Sequence, residues 1–344
     1  MGALNTVLIG FGRIAQANAA DTSMARKMRF STHAQVLKEH RDFSWRAVVD
    51  PRTEAIEAAR DLWGVPWTVP TLSELPDRNT YEIAVIATPP RDRLAILDQL
   101  PALKGVLVEK PLGETEEDSR AFVEECERRD ISLQVNFLRR ADSQTRELAC
   151  GGMALAIGEV QAATGVYCHG LLNNGIHVID LARMLLGEVV TVQAVPGIAG
   201  YHESPLENDL SIPFTLVFES GVALQMQPLK LECYRENGLE IWGENGKLSY
   251  LNSGFTISVF NTRKNSLVTG EQELNFDEPQ ELTSTMGMAF FEMYTSLAAS
   301  VVRHLPLFSP GSSALKTMEI ADCILRSHTK GGAPVSLAPQ GARA

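Results

Sequence analysis

Through the first 135 residues, short apolar runs suited to strands alternate with stretches of helical spacing, and that rhythm restricts the fold more than any other feature of the chain. Thr6 to Ile9 ends at Gly10, and Ile14 to Ala20 is expected to open as a helix directly from the turn. Trp45 to Val49 closes at Asp50-Pro51 and leads into a helix over Arg52 to Trp63. Ile83 to Ala87 is a strand broken by Pro89 and Pro90, with a helix candidate at Leu94 to Leu100. Val106 to Val108 stops at Glu109-Lys110-Pro111, and Thr115 to Arg129 is an amphipathic helix whose start carries a capping box from Thr115 to Asp118. Ser132 to Val135 is one more strand. Strands this uniformly apolar, separated by helices, belong to a doubly wound parallel sheet covered on both faces, the Rossmann arrangement of α/β folds.

Beyond Gly158 the pattern changes. Glu159 to Tyr167, Val189 to Val195, Ile212 to Phe218, Val222 to Gln227, Leu239 to Trp242 and Phe255 to Phe260 read as strands, with turn signals at Ser220-Gly221, Asn237-Gly238 and Asn245-Gly246. A mostly antiparallel open sheet follows, with helices at His177 to Leu186, Met286 to His304 and about Ser313 to Ser327. At roughly 150 residues per domain, 344 residues suit two: the doubly wound domain over 1–135 and the α/β domain with the open sheet over 136–330. The Gly-, Ala- and Pro-rich tail, 331–344, is expected to fray.

The charge balance, 31 Lys+Arg against 42 Asp+Glu for a net of −11, repels phosphate backbones and argues against nucleic acid as the main partner. No run of about 18 apolar residues offers a membrane span. Five scattered cysteines without a C-x-x-C pair fit a reducing compartment, and the cytoplasm is the expected location. No metal site is expected.

Gly10-Phe11-Gly12-Arg13-Ile14-Ala15 matches G-x-G-x-x-A between a strand and a helix. Gly10 permits the tight turn, Gly12 lets a pyrophosphate approach the backbone, and the small Ala15 lets helix and strand pack closely. N–H groups at the helix start then face the pyrophosphate. Asp50, ending the second strand, is suited to accept the adenosine ribose hydroxyls and to repel a 2′-phosphate, which favours NAD over NADP; the nearby Arg52 softens that preference and keeps NADP possible. Capping the following helix is the other role open to Asp50. The separation from Gly12 to Asp50 exceeds the usual ~20 residues, so a loop over about Asp21 to His33 is inferred to be inserted.

Lys110 ends a strand on the sheet edge where open α/β folds place ligands. Beside a positive nicotinamide its ammonium loses a proton more readily, which suits it to hydrogen-bond a substrate hydroxyl; a solvated strand-end lysine is the plain alternative. Downstream, Gly170-Leu171-Leu172-Asn173-Asn174-Gly175-Ile176-His177 leads into a helix. Neutral imidazole can take the proton of an alcohol whose carbon gives up hydride, although His177 is equally suited to a helix-start position, and Asp180 either orients it or serves the helix terminus.

The order of G-x-G-x-x-A, an acidic strand end, Ala87-Thr88-Pro89-Pro90, Glu109-Lys110-Pro111-Leu112 and Gly175-x-His177-x-x-Asp180 resembles the Gfo/Idh/MocA oxidoreductases across nearly the whole chain. The resemblance implies a Rossmann domain, an α/β domain whose open sheet makes a homodimer or homotetramer, and hydride transfer with NAD or NADP at a hydroxyl-bearing carbon of a sugar, cyclitol or nucleotide-sugar. On that resemblance Lys110 is expected to orient substrate and His177 to be the acid/base, and Gly10, Phe11, Gly12, Arg13, Ile14, Asp50, Arg52, Ala87, Thr88, Pro89, Glu109 and Lys110 are expected to line the cofactor. This chain departs from the family at Asn173, where many members carry a site aspartate, and at Arg91-Asp92-Arg93, where many place a histidine. Asn173 is still able to hydrogen-bond a hydroxyl.

A further similarity, to members of amino-sugar and surface-polysaccharide pathways, implicates Arg139, Arg140, Asn174, Lys230 and Arg235 in substrate binding. A catalytically silent dinucleotide- or sugar-sensing regulator, and a redox-neutral epimerase or lyase, are the alternative functions.

Overall fold

The structure, a computed structural model, describes residues 2–91, 93–196 and 204–337. It divides into two compact units, Met1–Ala141 with Met286–Lys316 and Asp142–Thr285 with Thr317–Ala344. The first holds six strands, β1 (Leu4–Ile9), β2 (Phe43–Val49), β3 (Trp67–Val69), β4 (Ile83–Ile86), β5 (Gly105–Val108) and β6 (Ser132–Val135), all parallel in the order β3-β2-β1-β4-β5-β6. β4 and β5 are buried throughout, which is why they read as unbroken apolar runs. Helices α1 (Thr22–Ala25), α2 (His33–Glu39), α3 (Thr53–Asp61), α4 (Arg93–Gln99) and α5 (Glu116–Arg128) connect them. The expected capping box of α5 is present in both directions between Thr115 and Asp118.

The helix expected over Ile14 to Ala20 is not formed as such. Gly12 to Gln16 make one turn, residues Ala17–Ala20 tighten into a 3-10 helix, and the chain runs out through α1 before returning at α2. There the backbone N–H groups of His33 and Ala34 donate to the carbonyls of Ile14 and Ala15 at 3.2 and 2.9 Å. An α-helix bonds each residue to the fourth before it, so the inferred insertion interrupts a helix after its first turn and the helix then resumes. The helix Ala289–Arg303, late in sequence, completes this unit: a Cβ at Gly105 of β5 would lie 2.8 Å from Val301 and 3.1 Å from Leu297, and the Gln134 amide donates to the Met293 carbonyl at 2.6 Å.

The second unit carries α6 (Ser143–Glu147), α7 (Met153–Ile157), β7 (Val160–Cys168), α8 (Ile176–Leu186), β8 (Val189–Ala194), β9 (Phe214–Phe218), β10 (Ala223–Leu229), β11 (Gly238–Gly243), β12 (Gly246–Leu251), β13 (Thr256–Lys264), β14 (Gln272–Leu274), β15 (Gln280–Leu282) and β16 (Val335–Ser336). The strands form one sheet in the order β14-β13-β12-β11-β7-β10-β9-β8-β16, with β15 on β13; β7 and β10 pair in parallel and the other pairs are antiparallel. β9 and β10 alternate between buried and more exposed positions, so one face is core and the other carries residues such as Gln225 and Gln227. Val178, Ile179, Leu181 and Leu185 of α8 pack on that core face with Leu216, Met226, Leu239 and Ile241, joined by Ile320 and Ile324 of the last helix, Gly311–Thr329. Each fully buried side chain of this size contributes roughly 1.5–3 kcal/mol, so α8 is fixed by its apolar stripe. Of the tail, Val335 and Ser336 pair with Val192 and Thr191, while 338–344 lie outside the described residues. Among the described residues no helix is long and apolar enough to cross a membrane.

Candidate active site

The carboxyl ends of β2, β1, β4 and β5 are neighbours in the first sheet, and they lead into Asp50, Gly10, Thr88 and Lys110 in that order. The strand order turns back between β1 and β4, where open α/β sheets leave a ligand crevice. Gly10 has φ +87°, and a Cβ there would come within 2.9 Å of the Ala87 carbonyl carbon, so glycine is required. At Gly12 the nearest atom to such a Cβ is Arg52 Nη2 at 3.9 Å, which leaves the backbone approachable.

Asp50 is 3% exposed and fully engaged. Its Oδ2 accepts from the Phe11 N–H at 2.7 Å and Arg52 Nη2 at 2.8 Å, and its Oδ1 from the Arg52 N–H at 3.0 Å and Nε at 2.9 Å. Burial pushes its pKa up, but these donors outweigh burial and hold the carboxyl below its ordinary value. A carboxylate has about four acceptor sites, and the four bonds from Phe11 and Arg52 fill them; the Arg52 side chain is itself largely exposed.

The remaining expected cofactor residues divide by orientation. Phe11 buries its ring against Trp45 at 6.2 Å and gives its N–H to Asp50, Arg13 and Pro89 are exposed, and Ile14, Ala87 and Lys110 are half-buried. The Thr88 hydroxyl is buried with no hydrogen-bond partner among the described residues. A glycine cradle and an orphaned hydroxyl on one edge fit a dinucleotide.

Glu109 turns inward. Its Oε1 takes His33 Nε2 at 3.1 Å and the Asn136 amide at 2.5 Å, and His33 Nδ1 pairs with the Tyr294 hydroxyl at 2.7 Å. Burial pushes the Glu109 pKa up; the hydrogen bond and charge of His33, then Lys110 and Asn136, bring it below the ordinary carboxylate value. Burial, with the charge of Glu109, pushes the Tyr294 phenol well above its ordinary pKa. Glu109 therefore anchors the strand end that carries Lys110. Beside it, Arg93 Nη1 donates to the Pro111 and Leu112 carbonyls at 2.7 and 2.8 Å, and Nη2 to the Thr88 carbonyl at 3.0 Å.

In the second unit, Leu171–Gly175 form one π-helical turn that feeds α8. Asp209, 3% exposed, accepts from the N–H groups of Leu172 and Asn173 at 2.8 and 3.0 Å and from the Ser204 hydroxyl at 2.7 Å. A Cβ at Gly170 would fall 2.0 Å from that carboxylate, so the glycine is forced. The Asn173 amide donates to the His169 carbonyl at 3.1 Å, and Asn174 Nδ2 is buried without a partner among the described residues. His177, half-buried, stands in the first turn of α8. Asp180 is held by Thr317 at 3.1 Å and by Arg183 at 3.7 Å.

Of the four cations expected to bind substrate, Arg139 (buried) and Arg140 belong to the first unit, and Lys230 and Arg235, both exposed, to the second. Among the described residues no group of three or more His, Cys, Asp or Glu side chains could hold a metal. Asp209 draws no notice in the sequence; Arg93 is marked there only as a departure from the family and His33 only as the end of a loop, and neither is given its structural role. Their partners lie up to 37, up to 19 and up to 261 positions away, so no local spacing announces those roles.

A parallel sheet with a glycine turn and an acidic strand end at its switch point, followed by an α/β unit on a mostly antiparallel sheet, defines a nicotinamide-dependent oxidoreductase of two-part architecture. Residues 4–137 match the family model described as GFO_IDH_MocA, oxidoreductase family, NAD-binding Rossmann fold, and residues 157–249 match the GFO/IDH/MocA C-terminal domain. The chain belongs to the Gfo/Idh/MocA oxidoreductases.

Among solved structures, levoglucosan dehydrogenase in complex with NADH is similar at 17% identity and TM-score 0.74, over 98% of this chain and 99% of that one. An aldose-aldose oxidoreductase from Caulobacter crescentus complexed with glycerol gives 18% and 0.73, over 97% and 100%. An oxidoreductase from Agrobacterium radiobacter in complex with NAD+, L-tartaric acid and magnesium gives 18% and 0.71, over 97% and 98%. At these identities the likeness is one of fold. No curated protein matches the chain.

Proposed function

We propose that this protein is a dehydrogenase or reductase of a sugar- or cyclitol-like polyol, using NAD or NADP, with Lys110 and His177 as its catalytic residues. The carrying observation is the edge of the first sheet. Asp50 marks the adenosine side on β2, and Lys110 lies three strands away on β5, roughly 15 Å at about 4.8 Å per strand. That is the span a dinucleotide needs to bring its nicotinamide toward the lysine.

The nicotinamide supplies or accepts the hydride. Lys110 hydrogen-bonds the reacting hydroxyl, and His177 takes or returns its proton. The Thr88 hydroxyl and the Asn174 amide, each buried with an unused donor, orient cofactor and substrate. The reported ligands of the similar structures, glycerol and L-tartaric acid, are polyhydroxylated and support this substrate class.

The test is a panel of polyols and keto-sugars with NADH and NAD+, followed by Lys110→Ala and His177→Ala. Each variant is expected to lower kcat by about 10²–10⁴-fold while cofactor affinity changes little. Near-normal turnover in both would remove the assignment. A second reading rests on Asn173, whose amide is committed to the His169 carbonyl and offers no carboxylate: a cofactor-sensing protein without turnover. Tight NADH binding with no oxidation across the panel would favour it.

A further inference from the structure

We propose that Arg93 is a positioning residue that sets the reach of Lys110, by tying the turn after β4 to the turn after β5 through main-chain carbonyls. The inference rests on the role given above to Lys110. One guanidinium spans two turns. Nη2 holds the Thr88 carbonyl on one, and Nη1 holds Pro111 and Leu112 on the other, so the residue immediately after Lys110 is clamped. All three acceptors are backbone, so the clamp fixes chain path and with it the base from which the lysine side chain extends.

The chemistry of the group suits a spacer. A guanidinium presents its donors in a rigid planar fork, whereas a lysine ammonium is a point charge on a flexible stem. Arg93 is 4% exposed. Burial lowers its pKa to about 10 against the opposing pull of Glu109, which leaves it charged at neutral pH. Taking such a cation out of water is costly, and the charge of Glu109 together with charge-assisted bonds to the carbonyls offsets that cost. Filling space alone would be done better by an apolar side chain.

The clamp is made by the two Nη atoms. Nε has no hydrogen-bond partner among the described residues. A cleft of about 330 Å³ bordered by Pro90, Arg93, Leu94, Leu112 and Gly113 opens beside it. A small guanidinium ion therefore has both an entrance and the same acceptors once the Arg93 side chain is removed.

The experiment uses full-length Arg93→Ala and Arg93→Lys with NADH and the best polyol of the panel. Both variants are expected to lose about 10- to 100-fold in kcat, the effect of misplacing a reacting group by about 1 Å, with KM for the cofactor nearly unchanged. Methylguanidinium is expected to bring the kcat of Arg93→Ala back to within about threefold of wild type and to leave that of Arg93→Lys unchanged. A merely structural residue would lower melting temperature and leave kcat per folded molecule intact, and that result overturns the proposal.

If Arg93→Ala does not fold, Arg93→Lys decides: a folded variant with normal NADH affinity and low kcat supports the clamp, and one with normal kcat ends it. If the wild type turns over nothing, the polyol reading fails, and Arg93 is judged by the nicotinamide fluorescence of bound NADH. Enhancement lost in Arg93→Ala and regained with methylguanidinium supports positioning; enhancement unchanged overturns it.

Discussion

The two units set out their candidate functional side chains by different physics. In the first, position comes from a sheet: Asp50, Gly10, Thr88 and Lys110 follow the ends of four adjacent strands whose spacing is fixed by hydrogen bonds. Buried polar partners then lock each strand end, as His33 and Asn136 do for Glu109. In the second, no strand end carries Asn173, Asn174 or His177. A single π-helical turn carries the two asparagines and feeds the first turn of α8, which holds His177; one carboxylate, Asp209, takes the N–H groups of Leu172 and Asn173, and the Leu210 carbonyl takes that of Leu171. The first arrangement is distributed over four strands and the second leans on one carboxylate.

Asp209→Ala is the variant that most directly strains this contrast. It leaves two backbone donors and the Ser204 hydroxyl without an acceptor, at a cost of roughly 2–4 kcal/mol, read as a shift of the urea midpoint. Turnover is expected to fall with it, because His177 follows that turn. A variant with wild-type stability and turnover would show that the second site is as redundantly held as the first.

Glu109→Gln probes the distributed side, with an expected loss of about 1–3 kcal/mol at neutral pH. The folded Glu109 carboxyl lies below its ordinary pKa. Its contribution is therefore complete above the unfolded value of about 4.3 and is lost as pH falls through the lower folded value. The stability gap between wild type and variant should close below about pH 4. A gap constant with pH would mean that the Glu109 carboxyl has the same pKa folded and unfolded, and a gap that widens as pH falls would mean that the fold keeps it protonated.

Arg52→Ala carries the smallest expected effect. Removing the guanidinium frees two acceptor sites of Asp50, so NADH binding should hold or tighten while NADPH binding weakens by about five- to tenfold, near 1 kcal/mol. Fluorescence titration of both cofactors measures it, and an unchanged ratio would take Arg52 out of the discrimination.

The contrast also explains how much could be read from the sequence. The parallel sheet was legible because buried strands are written as continuous apolar runs, and the landmarks Gly10, Asp50 and Lys110 sit where those runs stop. β3 and β12 escaped notice: Trp67–Val69 is only three residues long, and Gly246–Leu251 begins inside what reads as a turn. Asp209 and Arg93 were not legible. Their function depends on backbone groups of distant segments, and neither a carboxylate nor a guanidinium announces a main-chain partner through local spacing. The side-chain partner of Glu109 was not legible either: its carboxylate meets His33, a buried imidazole at the start of α2, 76 positions away.

The interruption after Ala15 has a consequence for comparing this chain with others. His33 stands where residue 18 of an unbroken helix would, so about 15 residues are spliced in. Without them the step from Gly12 to Asp50 shortens to about 23, close to the common ~20. Counting along the polymer therefore misplaces landmarks that hydrogen bonds keep in register. The splice point acts as a socket: the segment departs there and comes back one turn later, and the hydrogen bonds from His33 and Ala34 carry the helix on across the gap.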